Sequence, residues 1–408
     1  MATPPMSALS SWARRGATIG AAAVMALTWA GPANAAEGHI RSAAGGEIVP
    51  GSYIVVLKDG TVSRSSVGSD ARSLTARHGG TVRRTFGSAL RGFSVKSTEA
   101  QARKLAGDSR VAFVQHNMVY RTNATQANPP SWGLDRIDQR NLPLNQAYGY
   151  STTASGVRAY VVDTGIRTSH SDFGGRASIG YDAVGDGQNG QDCNGHGTHV
   201  AGTVGGAKYG VAKGVGLVGV RVLDCQGSGT TDQVVAGIDW VTANAVKPAV
   251  ANMSLGGSAD AALDSAVSRS INSGVTYAIA AGNGLLGLFP QNACSTSPAR
   301  VPAAITVSVT DKTDTKASWG NYGTCVDIFA PGIDITSAWN ANDTATNTIS
   351  GTSMSTPHVT GAAALYLAGH PGATPQQVRD GLVGNATSGV VKSPGSGSPN
   401  KLLYTPGL

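Results

Sequence analysis

Glutamate is absent from residue 124 to the end of this 408-residue chain, and charged residues of all kinds make up only 13% of it. Without glutamate there, a serine-carboxyl peptidase has no catalytic acid, and a His-Glu-x-x-His zinc site cannot form. Gly-x-Ser-x-Gly, the turn on which lipases and esterases carry their serine, is missing too. Aromatic residues are scarce at 6%, and no basic face is interleaved with them, so nucleic-acid binding has no footing despite the formal charge of +7. That charge is local: residues 1–123 hold 15 Lys and Arg against 6 Asp and Glu, leaving 16 of the 31 basic and 18 of the 24 acidic residues for 124–408. Past the first 36 residues no apolar run is long enough to cross a bilayer, so no membrane span is expected. Cysteine is limited to Cys193, Cys225, Cys294 and Cys325, an even number that allows three pairings. None precedes a catalytic histidine as a thiol nucleophile would, so structural bridges are expected.

The N-terminal end is the exception to this low-charge, mixed composition. Arg14-Arg15, an apolar run over about 17–30 and Pro32-Ala33-Asn34-Ala35-Ala36 have the layout of a secretory signal peptide, cut after Ala35 or Ala36. The chain is therefore expected to be secreted and extracellular. Residues 51–58, 81–86, 92–95 and 111–115 read as strands, with helices near 69–78 and 98–105, a small α+β open sandwich within residues 36–123. Residues 122–130, polar and rich in proline towards the end, read as an exposed linker open to proteolysis.

From residue 131 strands alternate with helices, the pattern of an α/β fold with a mostly parallel sheet sandwiched by helices. Strands are expected at 157–162, 177–181, 218–223, 250–253, 275–279, 305–309 and 326–329, with helices at 198–204, 231–242, 259–272 and 353–367. A last helix opens at Thr374-Pro375-Gln376-Gln377 with a cap, a first-position proline and a capping-box glutamine.

Three stretches in this body carry chemistry. Gly351-Thr352-Ser353-Met354-Ser355-Thr356-Pro357 runs into an apolar helix, which puts Ser353 at a helix N-terminus where free N–H groups favour an oxyanion. Pro357 cannot bond back to the carbonyl of Ser353, which leaves the first turn open; a plain helix cap is the competing reading. A buried-strand pattern ends at Asp163-Thr164-Gly165, where α/β sheets place functional groups. His196 opens a small-residue helix within Asn194-Gly195-His196-Gly197-Thr198-His199-Val200-Ala201-Gly202. The order Asp163, His196, Ser353 is the subtilisin order among the unrelated Asp, His and Ser triads.

On these three signatures the sequence resembles the subtilisin-like serine peptidases, and its cysteines and body resemble the proteinase K-like branch, especially its bacterial secreted, thermostable members. The resemblance implies a serine endopeptidase for extended polypeptides, expected to be monomeric. Ser353 would attack, His196 would carry the proton and Asp163 would orient and balance the imidazole. Asn283, within Ala280-Ala281-Gly282-Asn283, would complete the oxyanion hole with the N–H of Ser353. Gly227, Ser228 and Gly229, with Ser254, Leu255 and Gly256, would flank the substrate as an added strand, and Ala280, Ala281 and Gly282 would help wall the specificity pocket. With no carboxylate in those segments, large apolar or aromatic side chains are expected there. Residues 36–123 look like the family's inhibitory propeptide, residues 1–35 would be the signal peptide and residues 124–408 the catalytic domain. The branch also implies the disulfides Cys193–Cys225 and Cys294–Cys325, and structural calcium. One calcium set would be the carbonyls of Pro302 and Ala304 with Asp327. Another would use Asp135, Asp138 and Gln139, although Asn145 and Ala147 stand where further oxygen ligands are common.

Competing motifs fall away on context. His196 and His199 are three apart on a helix but lack a third metal ligand. Gly214-Val215-Gly216-Leu217-Val218-Gly219 spells a dinucleotide fingerprint, yet it leads into a strand and does not join strand to helix. A protease fold turned binding module would require a lost triad member, and all three are present.

Overall fold

The computed structural model describes residues 38–41, 48–118 and 124–408. They fall into two compact units, a smaller one built on residues 38–41 and 51–115 and a larger one that includes residues 124–408. The proposed signal peptide and the segment Val119-Tyr120-Arg121-Thr122-Asn123 lie outside the described residues.

In the smaller unit five strands stand in the order Ile40–Arg41, Val111–Met118, Ile48–Leu57, Gly92–Lys96 and Thr81–Phe86. Alternate side chains Tyr53, Val55 and Leu57, joined by Phe93 and Val95, are buried with Ala71, Leu74, Ala102 and Leu105 from the helices Val67–His78 and Glu99–Ala106. The second helix is fixed at its start by a capping box in which Gln101 N–H bonds Thr98 Oγ1 and Thr98 N–H bonds Gln101 Oε1.

The larger unit is organised by strands β1 (Arg158–Asp163), β2 (Ala177–Asp182), β3 (Gly216–Arg221), β4 (Ala249–Met253), β5 (Thr276–Ala280), β6 (Ile305–Thr310), β7 (Ile328–Pro331), β8 (Thr387–Ser388) and β9 (Lys401–Leu402). Their order in the sheet is β8-β9-β7-β6-β5-β4-β1-β3-β2, and every pairing is parallel except that of β8 with β9. The helices are α1 (His196–Gly205), α2 (Thr231–Asn244), α3 (Ala261–Asn272), α4 (Thr352–Gly369) and α5 (Pro375–Asn385). Both sheet faces are covered. Along β1, Ala159 and Val161 join a core with Val200 of α1 and Val359 of α4, while Tyr160 and Val162 join one with Ile238 of α2 and Val267 of α3. Helix α5 opens as its sequence implies, with Gln377 N–H on Thr374 Oγ1 and Thr374 N–H on Gln377 Oε1.

Three sequence expectations need correction. β3 begins two residues before the expected 218, because Gly216 already pairs with Arg158; Val222 and Leu223 then leave the ladder to bond the carbonyl of Asp163. β7 starts two residues after the expected 326. The linker expected at 122–130 is partly a strand: Ala124–Ala127 pairs antiparallel with Ala147–Tyr150. Its polar, mostly exposed residues give no burial signal, and only the partner strand reveals it. The short helix Trp132–Ile137 and the hairpin of Ile335–Ala338 with Thr346–Ile349 were not expected from sequence.

Candidate active site

In parallel α/β sheets the carboxyl ends of strands and the starts of helices face one crevice, because strand exits and helix N-termini lie on the same edge. Here β1 ends on Asp163, β4 runs into Ser254, β5 runs into Ala281-Gly282-Asn283, and α1 and α4 begin at His196 and Thr352.

Asp163 is fully buried, and its Oδ1 accepts from the N–H of Thr164 at 2.8 Å and faces Nδ1 of His196 at 2.7 Å. A carboxylate only accepts, so Nδ1 is the protonated nitrogen and Nε2 of a neutral ring keeps its lone pair. Oδ2 of Asp163 is buried and has no hydrogen-bond partner among the described residues. Burial works against the charged imidazole, but the charge and hydrogen bond of Asp163, with Asp192 adding to them, outweigh it and raise His196 above the usual histidine value. About a quarter of the His196 side chain is exposed (25%), so the ring opens to the crevice.

The loop that delivers His196 hangs on Asp192, a residue the sequence reading passed over. One oxygen accepts from the N–H groups of Asn194 (2.9 Å) and Gly195 (2.8 Å) and from the hydroxyl of Thr164 (2.9 Å). The other accepts from the N–H (2.9 Å) and hydroxyl (2.6 Å) of Thr198. Thr164, the neighbour of Asp163, also receives the N–H of Gly197 at 2.9 Å. A single carboxylate thus ties the end of β1 to the start of α1. Gly195, at φ 111°, makes the left-handed turn that brings the histidine in. An aspartate two and three residues before the amides it accepts is an Asx-turn signal that could have exposed this role.

Ser353 lies in the first turn of α4, whose cap is Gly351 with no side-chain capping bond, so neither Thr352 nor Ser353 is the cap. Its hydroxyl donates to the carbonyl of Ser254 at 3.1 Å, and its own carbonyl accepts the hydroxyl of Ser254 at 2.8 Å. The carbonyl that Pro357 leaves free in the helix is thereby taken up by Ser254. Ser254 Oγ also accepts from Asn252 Nδ2 at 2.9 Å, and Asn252 Oδ1 accepts from Thr360 Oγ1 at 2.9 Å, a buried string from the middle of α4 to its start.

Asn283 is oriented from one side. Its Oδ1 accepts from the N–H (2.9 Å) and hydroxyl (2.8 Å) of Thr352, while Nδ2 donates to no group among the described residues. The amide therefore keeps its donor end unused, next to the start of α4. Thr352 was read only as part of the serine motif, yet it fixes this amide and also accepts the N–H of Gly282 at 3.2 Å.

Gly227, Ser228 and Gly229 line one groove with His196, Ser254, Leu255 and Gly256. Leu223, Val234 and Leu263 give that groove apolar walls. Ser254, Leu255 and Gly256 also line a second cavity with Ala280, Ala281, Gly282, Asn283 and Ser353, and no carboxylate lines it. His199, by contrast, is a core residue: it is buried, it contacts the carbonyl of Ile335 at 2.9 Å, and burial holds it down to about 3.

The structure joins Cys193 to Cys225 and Cys294 to Cys325. Of the two calcium sets, Asp327 is already engaged, with Oδ1 paired to the guanidinium of Arg379 and Oδ2 accepting the N–H of Thr306 at 2.8 Å. Asp135 accepts the N–H groups of Asn145 and Gln146, which makes it a clamp on that loop. Asp138 Oδ1 and Gln139 Oε1, on consecutive residues, are buried without a partner among the described residues. Burial above all, with the charge of Asp135 adding, raises Asp138 to about 6. Both are hard oxygens of the type calcium accepts, although a full calcium shell takes about six to eight of them.

Comparison with known proteins gives the family. A family model described as the Subtilase family matches residues 154–401, and one described as Peptidase inhibitor I9 matches residues 52–123. The chain is 54% identical over 377 residues to the extracellular serine proteinase of Thermus sp. (strain Rt41A), covering 88% of this chain and 90% of that protein. It is 40% identical over 397 residues to the cuticle-degrading serine protease of Arthrobotrys oligospora, covering 91% and 95%. The crystal structure of a cold adapted subtilisin-like serine proteinase aligns with a TM-score of 0.64 at 55% identity, covering 67% of this chain and 97% of that one. Because the matched region spans the sheet, the crevice and all three signature stretches, the chain belongs to the subtilase family and is a subtilisin-like serine proteinase with an I9-type propeptide.

Proposed function

We propose that this proteinase is a secreted, monomeric endopeptidase that cuts extended polypeptides through an acyl-enzyme, with Asp163, His196 and Ser353 as its triad. The observation that carries the assignment is the 2.7 Å contact between a fully buried carboxylate and Nδ1 of a ring whose other nitrogen is free to act as base. In the reaction Ser353 Oγ leaves the carbonyl of Ser254, gives its proton to His196 Nε2 and bonds to the scissile carbonyl carbon. Asp163 holds the imidazolium that forms. The N–H of Ser353 and Nδ2 of Asn283 meet the oxyanion, and losing one such donor costs about a hundred- to a thousandfold in rate. His196 then returns the proton to the leaving amine, and water repeats the sequence on the ester. A substrate strand would lie between residues 227–229 and 254–256, with its main side chain in the cavity walled by Ala280, Ala281 and Gly282. That cavity lacks a charge, which supports large apolar or aromatic residues.

Residues 1–35 would be the signal peptide and 36–123 the propeptide, cut by the enzyme itself between Asn123 and Ala124. Ala124 begins a strand of the larger unit, so the cut would leave a new N-terminus already paired with Ala147–Tyr150. The I9 match supports the released segment as an inhibitor. Calcium would be a structural ion held at Asp138 and Gln139 with Asp135; at Asp327, with the carbonyls of Pro302 and Ala304, it would compete with Arg379.

Purified Ser353→Ala should remain an unprocessed precursor, inert to a serine-directed phosphonate and unable to digest casein. Normal processing of that variant with no other peptidase present would defeat both the nucleophile assignment and self-cleavage.

A further inference from the structure

Immediately after Asn283 the chain turns out to solvent through Gly284-Leu285-Leu286-Gly287-Leu288-Phe289, and four large apolar side chains stand exposed: Leu285 (55%), Leu286 (81%), Leu288 (67%) and Phe289 (62%). Single exposed apolar residues need no explanation, but these are four of five consecutive positions, and no charged residue lies between Gly282 and Ala293. The tip is also held in shape. The N–H of Leu285 bonds the carbonyl of Phe289 at 2.8 Å, and Gly284, Leu286 and Gly287 all take positive φ to close the turn.

Its base is anchored on Asn321, which is 1% exposed. Asn321 donates its main-chain N–H to Gly282 (3.0 Å) and Nδ2 to Ala281 (2.8 Å), and its Oδ1 accepts the N–H of Gln291 (2.8 Å). Both feet of the loop, Gly284 and Gln291, line the cavity that Ser353 and Asn283 share. The loop that carries the apolar tip is therefore rooted at the rim of the proposed specificity cavity. An ordered apolar surface kept in water is unfavourable by itself and becomes favourable when a second apolar surface covers it.

We propose that this tip is an extension of the substrate site that takes a second bulky apolar side chain of the polypeptide being cut, next to the one held in the cavity. The inference rests on the triad reading above and deepens it: preferred substrates are apolar segments with two such side chains flanking the scissile bond, in place of a lone apolar residue in a polar context. It goes to a polypeptide and not to a lipid surface because the feet of the tip belong to the cavity beside the nucleophile.

The test uses the full chain after it has become active, the variant Leu286→Ser/Leu288→Ser/Phe289→Ser, and two kinds of probe. One is a short anilide with a single aromatic residue for the cavity. The other is a set of quenched peptides in which one leucine is moved position by position along both sides of that residue among otherwise polar positions. The parent should prefer at least one leucine position by roughly tenfold in kcat/KM, the variant should lose that preference, and the anilide should be cut alike by both. Leu286→Met with Leu288→Met should keep the preference, and unchanged melting of all forms would show that the loop, not the fold, was altered. A parent indifferent to every leucine position, or equal loss on anilide and peptides, overturns the inference, while anilide cleavage that still needs Ser353 leaves the triad reading standing. Binding of the parent to phosphatidylcholine vesicles that the serine variant loses, without a change in peptide preference, would overturn it in favour of a lipid surface. A dimer abolished by the variant would overturn it in favour of a second copy.

Discussion

Asp163 and Asp192 are both buried aspartates that hold the chain around His196, yet their oxygens are filled in opposite ways. Asp192 accepts five hydrogen bonds from backbone and hydroxyl donors, so its charge is spread over a rigid loop. Asp163 accepts from Thr164 and His196 at Oδ1, and its Oδ2 has no partner among the described residues. A carboxylate saturated by neutral donors positions; one left partly unsatisfied keeps its charge available to a cation forming beside it. The division fits a base that must be both fixed in place and stabilised when protonated.

The largest test of that difference is Asp163→Asn. The amide would present a donor or a weak acceptor to Nδ1, favour the wrong tautomer and lower kcat by about ten-thousandfold with the fold intact. Asp192→Asn should act through position instead. It removes one acceptor from a five-donor site, so the expected loss is in stability, about 1–3 kcal/mol for a donor left unsatisfied, with a smaller fall in kcat and little change in KM. Steady-state kinetics beside thermal melting would separate the two. An Asp192→Asn enzyme that melts like the parent but loses as much kcat as Asp163→Asn would break the comparison.

A smaller effect should appear in pH profiles. His196 sits above an ordinary imidazole, whose pKa is about 6.5, so kcat/KM on a neutral peptide should rise with pH through a midpoint above that value. The stability that comes from its raised pKa is complete below the unfolded value and fades as pH rises through the folded one, the same window in which activity appears. Removing the negative charge of Asp192 should move the midpoint down while the profile keeps its shape. A midpoint that stays fixed in Asp192→Asn, or moves up, would show that Asp192 has no electrostatic hold on the ring.

The sequence made Asp163, His196 and Ser353 legible because each sits in a short motif whose residue types have few other uses at that spacing. The parallel sheet was legible too, since its central strands are buried on both faces and read as largely apolar runs. Asp192 and Thr352 were harder, because an aspartate or threonine in a loop serves many turns, and their partners Thr198 and Asn283 are set only by the fold. The Ala124–Ala127 strand was hidden for the opposite reason: it is exposed, so no alternation marks it. Arg379 was invisible as a partner of Asp327, since 52 residues separate them in sequence and only the start of α5 beside the sheet brings them together.

The contrast between a filled and a bare carboxylate recurs away from the crevice, at Asp327 and Asp138, where it bears on calcium. Asp327 has Arg379 on one oxygen and a backbone N–H on the other, so its charge is already balanced within the chain. Asp138 spends one oxygen on the N–H of Gly149 at 2.6 Å, and its other oxygen, like Oε1 of Gln139, is buried with no partner among the described residues. An ion that binds only the folded state stabilises it by about 2.7 kcal/mol at a hundredfold excess over its Kd. If the bare oxygens are the ones that draw the ion, Asp138→Asn should melt alike with and without calcium, while Asp327→Asn should melt lower by the same interval in both and keep the parent's calcium response. Melting curves of the three proteins across a calcium titration decide it. Loss of the calcium response in Asp327→Asn with its retention in Asp138→Asn would mean that Arg379 gives way to the ion, and that an internal ion pair does not close a carboxylate to metal here.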